Sequence, residues 1–186
     1  MKPICAMIRA RLFIMIYLVL AGFGSSFVTF HVARAEQKTP LVVLAAKKLG
    51  IQACLPALTQ AAEENTKGAT DQDIVLDWNR KSPNSSPFFT MTALGSGSEH
   101  AVLSITAIPL PRRGCALMVQ RVFSSPESCS VIAQRDLSAY VGGRLIEGVL
   151  VYNNPRQPAE TYTLMQNSNN CTVIFRNDTP RWSPPR

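Results

Sequence analysis

The chain is short of the residues that carry most enzyme chemistry. In 186 residues it has two histidines, His31 and His100, and only 17% of it is charged. If the N-terminal segment is removed as argued below, His100 alone remains, which excludes a multi-histidine metal site. It also leaves one imidazole to act as base for any serine or cysteine nucleophile. There is no C-x-x-C, and no histidine stands near a cysteine, so a redox pair or a zinc finger does not fit. Asp71, Asp73 and Asp77 make no calcium loop, which needs a glycine and a terminal glutamate at fixed offsets. Asp73 and Asp77 would share a strand face about 13 Å apart, too wide for a glycosidase pair. Beyond residue 33 no apolar run is long enough to cross a membrane. No metal, cofactor or catalytic residue is expected on these grounds.

What the chain does have begins at its N-terminus. Lys2, Arg9 and Arg11 precede an uncharged stretch over residues 12–23, and Ala33-Arg34-Ala35 is a small-x-small cleavage site. Residues 1–35 therefore read as a secretory signal peptide, leaving 151 residues. An uncleaved anchor is the second reading, since residues 12–33 would suffice to span a bilayer. Either way residues 36–186 lie outside the cytoplasm, in a secreted or periplasmic location, with membrane contact only if the N-terminal segment is kept. The net charge of +7 also shrinks: four of the 19 bases lie in the leader and none of the 12 acids do. The remaining excess of three is thinly spread and is not a nucleic-acid footprint.

Four cysteines remain: Cys54, Cys115, Cys129 and Cys171. An even count in an exported chain points to two disulfides. Of the three possible pairings, Cys115–Cys129 with Cys54–Cys171 is the expectation, because the first closes the shortest loop.

The pattern along the chain alternates helices with groups of strands. Residues 41–48 read as a short helix stopped at Gly50, and residues 53–67 as a second. Pro56 is tolerated only in a first turn, so the second helix begins near Cys54 or Leu55. Residues 73–78 alternate, with Ile74, Leu76 and Trp78 facing one way. A loop over 79–87 leads to a strand over 88–94, where Phe88 and Phe89 cannot both face a core. Residues 95–98 turn the chain. Residues 99–108 and 115–123 carry apolar residues on both faces, which predicts central strands buried on both sides. Ser125-Pro126-Glu127 opens a third helix bearing Cys129, Ile132 and Ala133. Gly142-Gly143 break the pattern, residues 145–152 form a strand, and residues 161–166 and 171–176 form a hairpin. No internal repeat is visible.

This order predicts one α+β domain over residues 36–178: an antiparallel sheet with two or three helices packed on one face, stapled by disulfides. Residues 179–186 read as a flexible Pro-rich tail.

Two functions compete, with a third behind them. The first is an exported, non-enzymatic domain that binds another protein, as an accessory, inhibitor or envelope factor. The second is a small extracytoplasmic hydrolase using His100 with Ser96 or Ser98, although that stretch is not G-x-S-x-G. A small-ligand carrier is the third. Asn84, Asn170 and Asn177 head N-x-S/T triplets and are candidate glycan sites in a eukaryotic host.

Overall fold

The computed structural model describes residues 39–111 and 114–183. The signal-peptide expectation therefore lies outside the described residues. Three helices, α1 (Leu41–Lys48), α2 (Leu55–Asn65) and α3 (Cys129–Asp136), accompany one antiparallel sheet of eight strands. The strands are β1 (Asp71–Trp78), β2 (Phe88–Ser96), β3 (Glu99–Leu110), β4 (Gly114–Ser125), β5 (Val141–Ile146), β6 (Val149–Asn153), β7 (Glu160–Asn167) and β8 (Asn170–Trp182). Their order across the sheet is β1-β2-β3-β4-β8-β7-β6-β5. The class is α+β, dominated by sheet.

Local chemistry sets several boundaries. Gly50 takes φ of 74° just beyond α1, a conformation glycine adopts without strain. Pro56 sits in the first turn of α2, where its missing N–H costs nothing. Ser125 does not open α3 as expected. It is the last residue of β4, and its Oγ accepts from Glu127 N at 3.2 Å. The helix starts at Cys129, four residues later, and Gln166 of β7 accepts from Cys129 N at 2.9 Å.

Alternation divides each strand into two sets. Phe88, Thr90, Thr92 and Leu94 of β2 are buried, and so are Leu103, Ile105 and Ala107 of β3 with Leu117 and Val119 of β4. They share one core with Val42, Val43 and Ala46 of α1 and Ala57, Leu58 and Ala61 of α2, and Ile74, Leu76 and Trp78 pack against it. A second core joins Cys129 and Ile132 of α3 to Leu164, Cys171 and Val173. Phe123 packs against both cores. The strand registers Phe123↔Val173↔Leu164↔Leu150 keep these residues on one continuous side of the sheet, the core side. The opposite set on β3 is not buried: Val102 and Ile108 are exposed. β3 is central, yet two-sided burial is the wrong reading of its apolar run.

The disulfides are Cys54–Cys115 and Cys129–Cys171, with Cα–Cα distances of 5.6 and 5.0 Å. All four cysteines are paired, but not as expected. Cys115 stands at the start of β4 and Cys129 follows its end. An extended strand of that length holds its ends about 30 Å apart, so the shortest loop cannot close. Each cysteine instead meets the one its own helix packs over.

This pairing exposes a repeat that residue identities conceal. In each half a cysteine at a helix start, Cys54 before α2 or Cys129 in α3, joins the second residue of a fourth strand, Cys115 or Cys171. Each half is helix followed by a four-stranded meander. With Cys115 and Cys171 equivalent, the pairs Leu117↔Thr179 and Phe123↔Val173 exchange, as do Val119↔Asn177 and Arg121↔Phe175. The two halves thus meet at β4 and β8 around a local two-fold axis through Gln120↔Arg176.

Two other expectations change. Gly142 and Gly143 do not break structure: they lie within β5, which forms a hairpin with β6 across Gly148, at φ of 75°. A Cβ on Gly142 would come within 2.4 Å of the Tyr152 ring, which lies across it. The tail is also shorter than expected. β8 continues to Trp182, whose indole packs on the first core and donates to Gln60 Oε1 at 3.1 Å.

Candidate functional site

The outer side of the sheet, away from both cores, holds most of the exposed apolar side chains. Register places Val75 of β1 beside Met91 of β2, Phe89 beside Thr106, which in turn pairs with Met118, and Val102 beside Ala93 and Val122. Val122 continues to Ile174, Thr163 and Val151 across β8, β7 and β6. Val75, Phe89, Met91, Val102, Ile108 and Met118 are all exposed, from 38% to 59%. Val141 and Ile146 of β5 extend the same side and are each 65% exposed. Scattered exposed hydrophobics are ordinary, but a set that register places side by side across one sheet side is not.

Polar groups on this side fall into two places. Ser104, Gln120, Arg176 and Thr161 form a row through the local two-fold. Arg176 pairs with Asp178 at 3.4 Å. Asp71, Asp73 and Asp77 line the outer side of β1, an edge strand. All three are exposed, and none joins an ion pair among the described residues.

His100 lies at the same end of this side, paired with Gly95. A Cβ on Gly95 would stand 3.7 Å from His100 Nδ1 and 3.5 Å from Asp71 Cβ, so the bare glycine leaves the two side chains flanking it. Ser96 pairs with Glu99 and therefore points to the opposite side from His100. Ser98 lies in the turn between the two strands. The fold thus does not bring His100 and Ser96 onto one side. Among the described residues no three His, Cys, Asp or Glu side chains are grouped to hold a metal ion.

The Phe88-Phe89 step resolves as alternation requires: Phe88 is 1% exposed and Phe89 is 39%. Asn84 has a structural use. Its Oδ1 accepts from Gln52 N at 2.6 Å and Ala53 N at 3.0 Å, and its Nδ2 donates to Gly50 O at 2.9 Å. That amide pins the loop between α1 and α2.

A polar cluster that sequence reading missed lies in the second half. Glu160 is buried and accepts a short hydrogen bond from the Tyr140 hydroxyl and another from Asn154 Nδ2 at 3.1 Å. Tyr140 stacks edge-on against Tyr162, whose ring also meets Phe175. Burial, then the bond to the Glu160 carboxylate, holds the Tyr140 phenol well above its ordinary range. Burial, then the same carboxylate's charge, pushes Tyr162 up to about 12. The cluster orders the β6–β7 connection around the buried Glu160. Nothing in local sequence brings residues 140, 154 and 160 together; only the meander does.

Searched against family models, characterised proteins and solved structures, the chain finds no match.

Proposed function

We propose that residues 36–186 form an exported, non-enzymatic domain that binds another protein through the outer side of its sheet. In this reading all three helices pack on one face and leave the other free for a partner. The observation that carries it is the contiguous outer set Val75, Phe89, Met91, Val102, Ile108 and Met118, exposed although apolar. Eight strands about 4.8 Å apart with about 20 Å of shared length give a face of about 750 Å², close to one partner's share of a standard interface. The leader supports export, and two disulfides suit an oxidising compartment. No helix among the described residues is long and apolar enough to cross a membrane.

Site-specific photo-crosslinking in the native envelope tests this reading. A crosslinker at Met118 is expected to trap a discrete protein adduct, whereas one at Val131, exposed on α3, is not. Equal labelling from both sites would remove the outer face from the account. Turnover of an ester, amide or glycoside substrate that disappears in His100→Ala would replace it with the hydrolase. Intact mass of the exported product, expected to lack residues 1–35, tests the leader.

A further inference from the structure

The outer face is not complementary to itself. Among the described residues its charged groups are Asp71, Asp73 and Asp77 along β1, the Arg176–Asp178 pair near the centre, Arg181 near the end of β8, and His100 beside Asp71. Among the described residues, two such faces laid together would offer the three aspartates only Arg176, which already has its carboxylate, and Arg181 at the far end of β8. An anionic lipid surface would be repelled by the same edge. The aspartates stand within about 20 Å on one strand, beside Val75, Met91 and Phe89. An apolar patch with a line of unpaired acids on one rim selects a partner of opposite rim charge, because rim charges set orientation and encounter rate while the apolar centre is buried.

We infer that the occupant of this face is a different protein whose contact surface is apolar and carries lysine or arginine along the side that meets β1. The inference rests on the binding reading above and specifies the partner's chemistry. It predicts that encounter is faster at low salt, and that the partner docks in one orientation, its basic side over β1 and its uncharged side over β6 and β5.

The test uses a synthetic amphipathic Leu/Lys peptide and its Leu/Glu counterpart, titrated by fluorescence anisotropy. The proteins are the mature chain, the triple variant Asp71→Asn, Asp73→Asn, Asp77→Asn, and the double variant Val102→Lys, Met118→Lys. All five positions are exposed, so each variant should keep its fold, checked by its urea midpoint. The Leu/Lys peptide is expected to bind the mature chain about tenfold tighter than the triple variant, and to weaken between about 50 and about 300 mM salt. The Leu/Glu peptide should bind neither. If the double variant loses binding but the triple variant does not, the face is used and the basic partner is wrong. If neither variant changes binding, the outer-face reading itself falls. A mature chain that sediments as a dimer, and as a monomer in the double variant, would overturn the inference in favour of a second copy. Co-sedimentation with phosphatidylglycerol vesicles would overturn it in favour of a membrane.

Discussion

The two halves of the molecule repeat one plan and bury it by different means. In the first, two helices lie against four long strands, and β2 contributes four fully buried side chains, Phe88, Thr90, Thr92 and Leu94. In the second, α3 alone packs against β7 and β8. Among the described residues nothing occupies the place of α1. Leu150 and Tyr152 of β6 are only half-buried, and every residue of β5 is exposed. Aromatic rings replace the missing helix: Tyr152 covers Gly142, and Tyr140, Tyr162 and Phe175 pack together above the buried Glu160. Small aliphatic side chains suffice where a helix supplies the layer. Where none does, large rings cover the sheet, and the Tyr140 hydroxyl stays bonded to Glu160.

The strongest break in the comparison is to remove one staple at a time. Cys54→Ser with Cys115→Ser opens a closure of 61 residues, and Cys129→Ser with Cys171→Ser one of 42. In the chain-entropy picture each costs about 4 kcal/mol, because the dependence on loop length is logarithmic. Urea melts of both pairs should show similar losses and a single transition, since β4 and β8 pair along nearly their full length. A biphasic melt in either variant would mean that the halves unfold separately.

Truncation inside the two cores comes next. Phe88→Ala removes a ring that is 1% exposed from the first core and should cost about 3–5 kcal/mol. Leu164→Ala, fully buried in the second core, should cost about 2–3 kcal/mol. Trp78→Ala should fall below both, at about 2 kcal/mol, because Trp78 is only partly buried and Arg80 rests 5.3 Å above its ring. A silent Leu164→Ala beside a severe Phe88→Ala would show that the second core contributes little.

Much of the first half was legible because its signals are local. Pro56 and Gly50 bracket the helices, Ile74, Leu76 and Trp78 alternate, and two adjacent phenylalanines must part company. The second half hides its logic in distant contacts. Gly142 reads as a breaker until Tyr152, ten residues on, is seen lying over it. The disulfide pairing depends on the rigid length of β4, which loop-closure entropy ignores. The repeat survives in the order of elements and the placing of cysteines, not in residue identities. The outer face escaped because an apolar run with no clear period reads as buried on both sides.

Alkaline pH acts through tyrosine on the second half, because Tyr140, Tyr152 and Tyr162 all belong to it and the first half has none. In the unfolded chain tyrosines ionise near 10, whereas Tyr162 is held up to about 12 in the fold and Tyr140 is also raised. Between these values the unfolded state has lost a proton that the folded state keeps. It binds fewer protons, so stability falls as pH rises above 10. One such group removes about 1.4 kcal/mol per pH unit in that window. Tyr140→Phe should cost about 1–2 kcal/mol at pH 7, for the bond lost to a buried carboxylate. Its decline above pH 10 should be shallower than that of the parent. Parallel declines would mean that Tyr140 titrates freely in the fold.

The smallest effect sharpens the comparison at single glycines. Gly142→Ala forces a methyl into the ring of Tyr152, at 2.4 Å from its nearest atom, while Gly95→Ala meets Asp71 Cβ at 3.5 Å and His100 Nδ1 at 3.7 Å, both ordinary contacts. Neither glycine has positive φ, so the difference is steric and not a matter of backbone strain. Tyr152 is half-buried and can swing outward, which limits the cost of Gly142→Ala to about 1 kcal/mol. The swing should uncover β5 and raise amide exchange along the β5–β6 hairpin. Gly95→Ala should be neutral within about 0.5 kcal/mol. Tyr152→Ala supplies the control: made in that background, Gly142→Ala should cost nothing further, because no ring remains to be displaced. If the two substitutions add instead, the ring is not what requires glycine at 142, and the account of how this half covers its sheet without a second helix loses its main support.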